Sequence, residues 1–189
     1  MRLIAAAICA FAIACAPKAA PPQDAFFNAI AAHCGKAFAG RLVSTEDADK
    51  DFAAETLLME VRDCAADEIR IPFHVGADRS RSWVITRTEN GLRLKHDHRH
   101  EDGTSDAVTM YGGDTLDDGT ASRQEFPVDA FSIEMFTREG LTASVANVWA
   151  VEATATLIAY ELKRENRFFR VEFDLTKPVA GPPPPWGSS

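Results

Sequence analysis

The chain is poor in most of the features that announce a chemistry. Its 189 residues carry 20 Lys and Arg against 28 Asp and Glu, a formal charge of −8. The basic residues are scattered, with no stripe to track a phosphate backbone and no belt to hold anionic lipid. Nucleic acid is therefore excluded as a partner, and so is a purely electrostatic membrane contact. No serine sits in Gly-x-Ser-x-Gly, so a serine hydrolase has no support. The acidic cluster Asp47, Asp49, Asp51 lacks the glycine and terminal glutamate of a calcium loop. It reads as a solvated loop, as does Asp114, Asp117, Asp118. No cofactor is implied and no internal repeat is visible. The uninterrupted apolar run Leu3–Ala14 is too short to span a bilayer as a permanent helix. The length suits one domain with a real core and not two ordinary ones.

What is present begins with that run. Arg2 supplies a positive start, and Ala12-Ile13-Ala14-Cys15 resembles a bacterial lipobox, in which the cysteine becomes the lipidated first residue of the mature protein. Residues 1–14 then form a signal peptide. The alternative is an ordinary secretory signal cut after an Ala-x-Ala-like site, giving a secreted soluble periplasmic protein. Both readings export the chain. Several acyl chains on Cys15 would anchor it stably, facing the periplasm. Ala16 follows, in place of the aspartate that signals inner-membrane retention in enterobacteria, so the outer membrane is the expected address. Residues 15–23 form a lipidated Pro/Ala tether, 24–179 the folded domain, and 180–189 a disordered Pro-rich tail (GPPPPWGSS).

Processing removes Cys9 and commits Cys15, leaving Cys34 and Cys64 as an even pair in an oxidising compartment. Their separation, without nearby Cys or His at ligand spacing, argues against a metal or redox pair. A disulfide closing a loop of roughly 30 residues would contribute about 3–4 kcal/mol in the chain-entropy account.

Asp24 is placed to cap a helix with Phe27, Ile30, Ala31, Cys34 and Phe38 at helical spacing. A second helix fits Asp129–Glu139, with Phe131, Met135 and Phe136 inward and Gly140 at its stop. The rest reads as about ten strands: Gly40–Thr45, Thr56–Cys64, Glu68–Val75, Ser80–Thr88, Leu92–Glu101, Thr104–Tyr111, Ala121–Phe126, Val145–Glu152, Thr156–Arg164 and Arg167–Leu175. Alternation is clear in Ile69/Ile71/Phe73/Val75 against Arg70/Pro72/His74, and in Phe169/Val171/Phe173/Leu175. One wet and one buried face is the antiparallel signature. The expected fold is mainly β, an antiparallel up-and-down barrel-like domain with an N-terminal helix and one more. The alternative is an open antiparallel sandwich with helices on one face. The layout is similar to the calycins, although Phe38-Ala39-Gly40-Arg41 lacks the lipocalin tryptophan.

Chemistry concentrates in Lys95-His-Asp-His-Arg-His-Glu-Asp-Gly103, which holds three of the five histidines. On a strand His96, His98 and His100 share a face with Leu92 and Leu94, opposite Arg93, Lys95, Asp97, Arg99 and Glu101. Two-residue turns at Asn90-Gly91 and Asp102-Gly103 would pair Ile85 with His96, Trp83 with His98, His100 with Ser105, His96 with Thr109 and Leu94 with Tyr111. One face then gathers Trp83, His96, His98, His100, Ser105, Thr109 and Tyr111, the polar, aromatic and roomy lining of a small-molecule pocket. Two other readings stay open. The histidines could be satisfied polar groups at a barrel mouth, or His96, His98 and His100 could ligate a metal, although a third ligand on a straight strand lies far off. His33 and His74 are isolated, the latter on a wet face.

The histidine string is a near miss of the cupin signature. Gly91, His96, His98 and Glu101 have the wrong spacing and no second motif follows, so cupin chemistry is excluded. The segments His33–Phe38, Lys95–Gly103 and Tyr111–Asp114 resemble those of a family of short exported proteobacterial proteins. That resemblance implies export and, the family having no assigned activity, transfers no catalytic residue. The expected function is a small-molecule-binding barrel module in the cell envelope, its partners a membrane through the lipid anchor and one small molecule. The alternatives are a structural envelope protein without ligand and an enzyme using the His96/His98/His100 face.

Overall fold

The computed structural model describes residues 20–188; the signal segment 1–14, Cys15 and the tether up to residue 19 lie outside the described residues. The chain forms α1 (Pro22–Ala31), β1 (Lys36–Leu42), α2 (Lys50–Ala53), β2 (Leu57–Val61), β3 (Asp63–Cys64), β4 (Glu68–Val75), β5 (Asp78–Thr88) and β6 (Gly91–His98). There follow β7 (Tyr111–Asp114), β8 (Arg123–Pro127), α3 (Ala130–Arg138), β9 (Val148–Ala153), β10 (Leu157–Arg164) and β11 (Arg167–Val179). Strands pair antiparallel in the order β7-β6-β5-β4-β2-β1-β11-β10-β9-β8, with the short β3 on β4. The protein is thus a mainly β, nearly closed antiparallel barrel. The chain meanders around it, and β11 returns to pair with β1.

The remaining seam lies between β7 and β8, and the Tyr111–Asp114 glycines are there to make it. A Cβ on Gly113 would sit 1.7 Å from the Pro127 carbonyl oxygen across the seam, and one on Gly112 would sit 1.8 Å from that of Leu94 on β6, the other neighbour of β7. No side chain fits between backbones this close. Across the seam the Asp129 N–H donates to the Gly112 carbonyl at 2.9 Å, and Ser132 Oγ accepts from the Gly112 N–H at 2.8 Å. The Asp129 side chain also caps α3 by accepting from the Ser132 N–H at 2.9 Å. Met135 and Phe136 face inward as the spacing predicts, whereas Phe131 is exposed.

The Cys34–Cys64 disulfide is present, with Cα atoms 6.3 Å apart. It does not leave from a helix. α1 ends at Ala31 and the chain turns before β1, where Phe38 pairs with Met59. Cys34 is exposed in that turn while Phe38 is buried on β1, so their spacing of four reflects no shared helix face. Asp24 caps nothing: α1 starts at Pro22 with no side-chain cap, and Asp24 pairs with Arg87 instead.

Two expected turns shift. Thr88 pairs with Gly91, so Glu89-Asn90 makes the turn, and Trp83 faces His96 while Ile85 faces Leu94. The displacement is two residues, which leaves every side chain on its expected face. The segment Thr104–Met110 is a loop, not a strand. Asp102 Oδ1 accepts from the Thr104 N–H at 2.9 Å and Asp106 Oδ1 from the Val108 N–H at 2.8 Å, local turns that compete with a ladder. His96 therefore faces Tyr111 rather than Thr109, and Leu94 faces Gly113.

Two outer regions are drier than their sequences imply. Asp49 is buried, accepting from Ser44 Oγ at 2.5 Å and from Arg167. Pro72 and His74 of β4 are also buried, on the face expected to be wet. The described part of the Pro-rich tail docks on the outside of the barrel instead of trailing free. Arg79 donates to the Pro184 carbonyl at 3.0 Å, the Trp186 N–H donates to the Arg79 carbonyl at 3.1 Å, and Arg70, Asp97 and Arg99 border the groove.

Candidate functional site

The barrel has unlike ends. At one, α1 lies across the strand termini and buries Phe26, Phe27 and Ile30 in the core. At the other, the rows of inward side chains stop short of filling the space and leave a cavity of about 340 Å³. Its wall is aromatic. Trp83 of β5 stacks on Tyr160 of β10 with ring centroids 4.4 Å apart and on Phe73 of β4 at 4.9 Å. His96 of β6 stacks on Tyr111 at 4.5 Å and lies 5.1 Å from Trp149 of β9. Phe52 from α2, Phe169 from β11 and Phe136 from α3 complete the lining.

A short polar chain runs through this wall. His96 Nδ1 lies 3.0 Å from the Tyr111 carbonyl oxygen, which can only accept, so Nδ1 carries the proton. Nε2 then accepts from the Tyr160 hydroxyl at 2.7 Å. The Tyr111 hydroxyl in turn meets His98 Nε2 at 3.0 Å. Burial holds His96 down to about 3, with the nearby His98 and Lys95 adding to the effect against the bond to Tyr111. Burial likewise holds His98 down to about 4, with Arg81 beside it acting in the same direction. Burial pushes Tyr111 up to about 12 and raises Tyr160 as well. Both rings and both phenols are therefore neutral near pH 7. They offer fixed hydrogen-bond partners, not charges.

Charge enters at the rim. Arg81, Arg164 and Arg167 line the cavity, with Asp106, Ser144 and Asn147. Each arginine stands two residues from an inward hydrophobe on its own strand: Arg81 before Trp83, Arg164 after Leu162, Arg167 before Phe169. Period-two alternation puts them on the inner face where the rows run out. That termination of an apolar row in arginine is the signal for the rim in the sequence.

Of the residues expected to meet on one face, Trp83, His96, His98 and Tyr111 come together at the cavity. His100 and Ser105 do not: both are exposed in the loop after β6. Thr109 turns to the outer side, where its Oγ1 accepts from the His98 N–H at 2.8 Å and lies 3.5 Å from Asp97 Oδ1. Strand alternation ends at His98, so the third histidine loses its face. The three rings of the His96/His98/His100 metal alternative are therefore not brought together: the first two meet tyrosines and the third is elsewhere. Among the described residues no three His, Cys, Asp or Glu side chains are grouped to hold a metal ion. Compared with known proteins, the chain matches no protein-family model, no curated protein and no solved structure.

Proposed function

We propose that this protein is an exported, lipid-anchored barrel of the bacterial cell envelope that binds one small molecule through the Trp83/His96/His98/Tyr111 wall. The observation that carries the reading is the cavity itself: aromatic walls, a few fixed polar groups and one open end, at the small end of the roughly 300–1,000 Å³ range of ligand pockets. A barrel serving only as a spacer would gain from filling that volume with side chains. Export is supported by the leading apolar run with its Ala-Ile-Ala-Cys end and by the disulfide, a bond suited to an oxidising compartment. No helix among the described residues is long and apolar enough to cross a membrane; the proposed anchor is the acyl chains on Cys15, facing the periplasm from the outer membrane. The enzyme alternative would rest on His98, whose desolvated ring of low basicity makes a weak general base.

Native mass spectrometry of the protein isolated from its own host tests the binding. A retained mass lost on denaturation, and lost again in Trp83→Ala and His98→Ala proteins that keep their disulfide, is the expected result. An empty protein that quenches no tryptophan with any of a panel of aromatic dyes would defeat the reading. For the anchor, Cys15→Ala should release soluble or unprocessed protein, and a mature terminus at Ala16 or beyond would defeat lipidation.

A further inference from the structure

The three arginines of the rim are not equivalent. Arg81 Nη1 lies 2.6 Å from Asp78, and Arg167 is held between Glu46 at 2.8 Å and Asp49. Arg164 has no carboxylate within ion-pair distance among the described residues. Its one hydrogen bond there is from Nη1 to Asn147 Oδ1 at 3.0 Å. Asn147 is buried and tied by its backbone to Ser144 and Val128, so it orients the guanidinium without neutralising it. A half-buried guanidinium beside an aromatic cavity, with most of its five donors unused, is matched to a planar oxyanion.

We propose that the cavity takes an amphiphilic anion, its acid group on Arg164 at the rim and its apolar or aromatic body inward against Leu162, Tyr160 and Trp83. The inference rests on the reading of the cavity as a ligand site and adds the charge and orientation of the occupant. The inward direction follows from β10, where Tyr160, Leu162 and Arg164 share one face and rise from the core to the rim. Deeper charge is unwelcome, since His96 and both tyrosines are neutral there. Asp106 is the one carboxylate of the lining, on the rim beside His98, and it repels a second negative group. The ligand class is therefore a carboxylic acid or similar monoanion with its charge at one end.

Two dyes sharing one aromatic body separate the possibilities: anilinonaphthalene sulfonate, which is anionic, and phenylnaphthylamine, the same skeleton without the sulfonate. Quenching of Trp83 and Trp149 reports both. The anionic dye should bind about tenfold or more tighter. Arg164→Gln should cost it about ten- to a hundredfold while leaving the neutral dye within about twofold. Arg164→Lys should keep part of the margin, and Lys36→Gln, which removes an exposed charge away from the mouth, should keep all of it. Retained binding of the neutral dye shows that the Arg164→Gln barrel is folded. Equal affinities for the two dyes, equal losses of both in Arg164→Gln, or a margin abolished by Arg81→Gln instead would overturn the anion site while leaving the cavity as a neutral one. If neither dye binds the unaltered protein, the ligand-site reading falls and this inference with it.

Discussion

The two ends of the barrel are built from the same strands and solve opposite problems. At the α1 end the helix lays Phe26, Phe27 and Ile30 over the strand termini. Arg87 stacks 4.1 Å from the Phe27 ring while pairing with Asp24, and Gln23 donates to Thr115 Oγ1 at 3.0 Å. The disulfide then ties the turn after α1 to β3 on the same end. At the mouth the long connections supply α2, α3 and the loop after β6, and polar groups replace the plug. The difference shows that closure of a small barrel is a choice made by side chains at strand ends. Hydrophobes there give a floor, and arginines with neutral histidines and phenols leave an open cavity.

The floor should carry stability and little binding. Phe26→Ala removes a fully buried ring and should cost about 3–5 kcal/mol in denaturant unfolding, leaving dye affinity at the mouth unchanged in the protein that remains folded. A comparable loss of binding at low denaturant would mean that the two ends are one cooperative unit. Next in size, Cys34→Ser with Cys64→Ser should cost about 2–4 kcal/mol, read as a shift of the urea midpoint with the mouth again intact. No change in midpoint would mean that α1 is held by packing alone.

The mouth should show its character through pH. His96 and His98 have folded values of about 3 and about 4, below the 6.5 of an unfolded histidine. Unfolded chains then bind protons that the folded barrel refuses, so stability is full above pH 6.5 and falls as the pH drops toward the folded values. Each histidine contributes up to about 1.4 kcal/mol per pH unit within that window. Urea midpoints between pH 7 and pH 5 should slope accordingly, and His98→Asn should flatten the slope by up to one proton. An unaltered slope would place His98 in water. Smallest of all, His100→Ala should change stability by less than about 0.5 kcal/mol and dye affinity not at all, because its side chain is exposed beyond the strand. A measurable loss of binding would bring the loop after β6 back into the site.

The register of β5 on β6 shows how the readable and unreadable parts divide. Alternation assigned His96 and His98 to the inner face correctly even though the turn was placed one residue late, since an error of two in pairing preserves parity. The same logic failed at His100 because the ladder stops, and it stops because Asp102 and Asp106 offer local hydrogen bonds that compete with pairing. Asp49 and the tail depart from expectation for a related reason. Both look solvated by composition, and both are dried by partners more than a hundred residues away, Arg167 for the one and Arg79 for the other.

Local physics in the chain determined the β class, the inner faces, the cap on α3 and the pairing of the two cysteines, because each depends on a short-range period or on a count. Only the tertiary structure decided that β11 returns to β1, that Gly112 and Gly113 form the seam, and that Tyr160, Trp149 and Arg164 meet His96 and Trp83 across the barrel. Those contacts join residues far apart along the chain. Their energy appears only once the sheet has curled far enough for opposite walls to face one another, and no period in the sequence encodes which strand end will carry the opening.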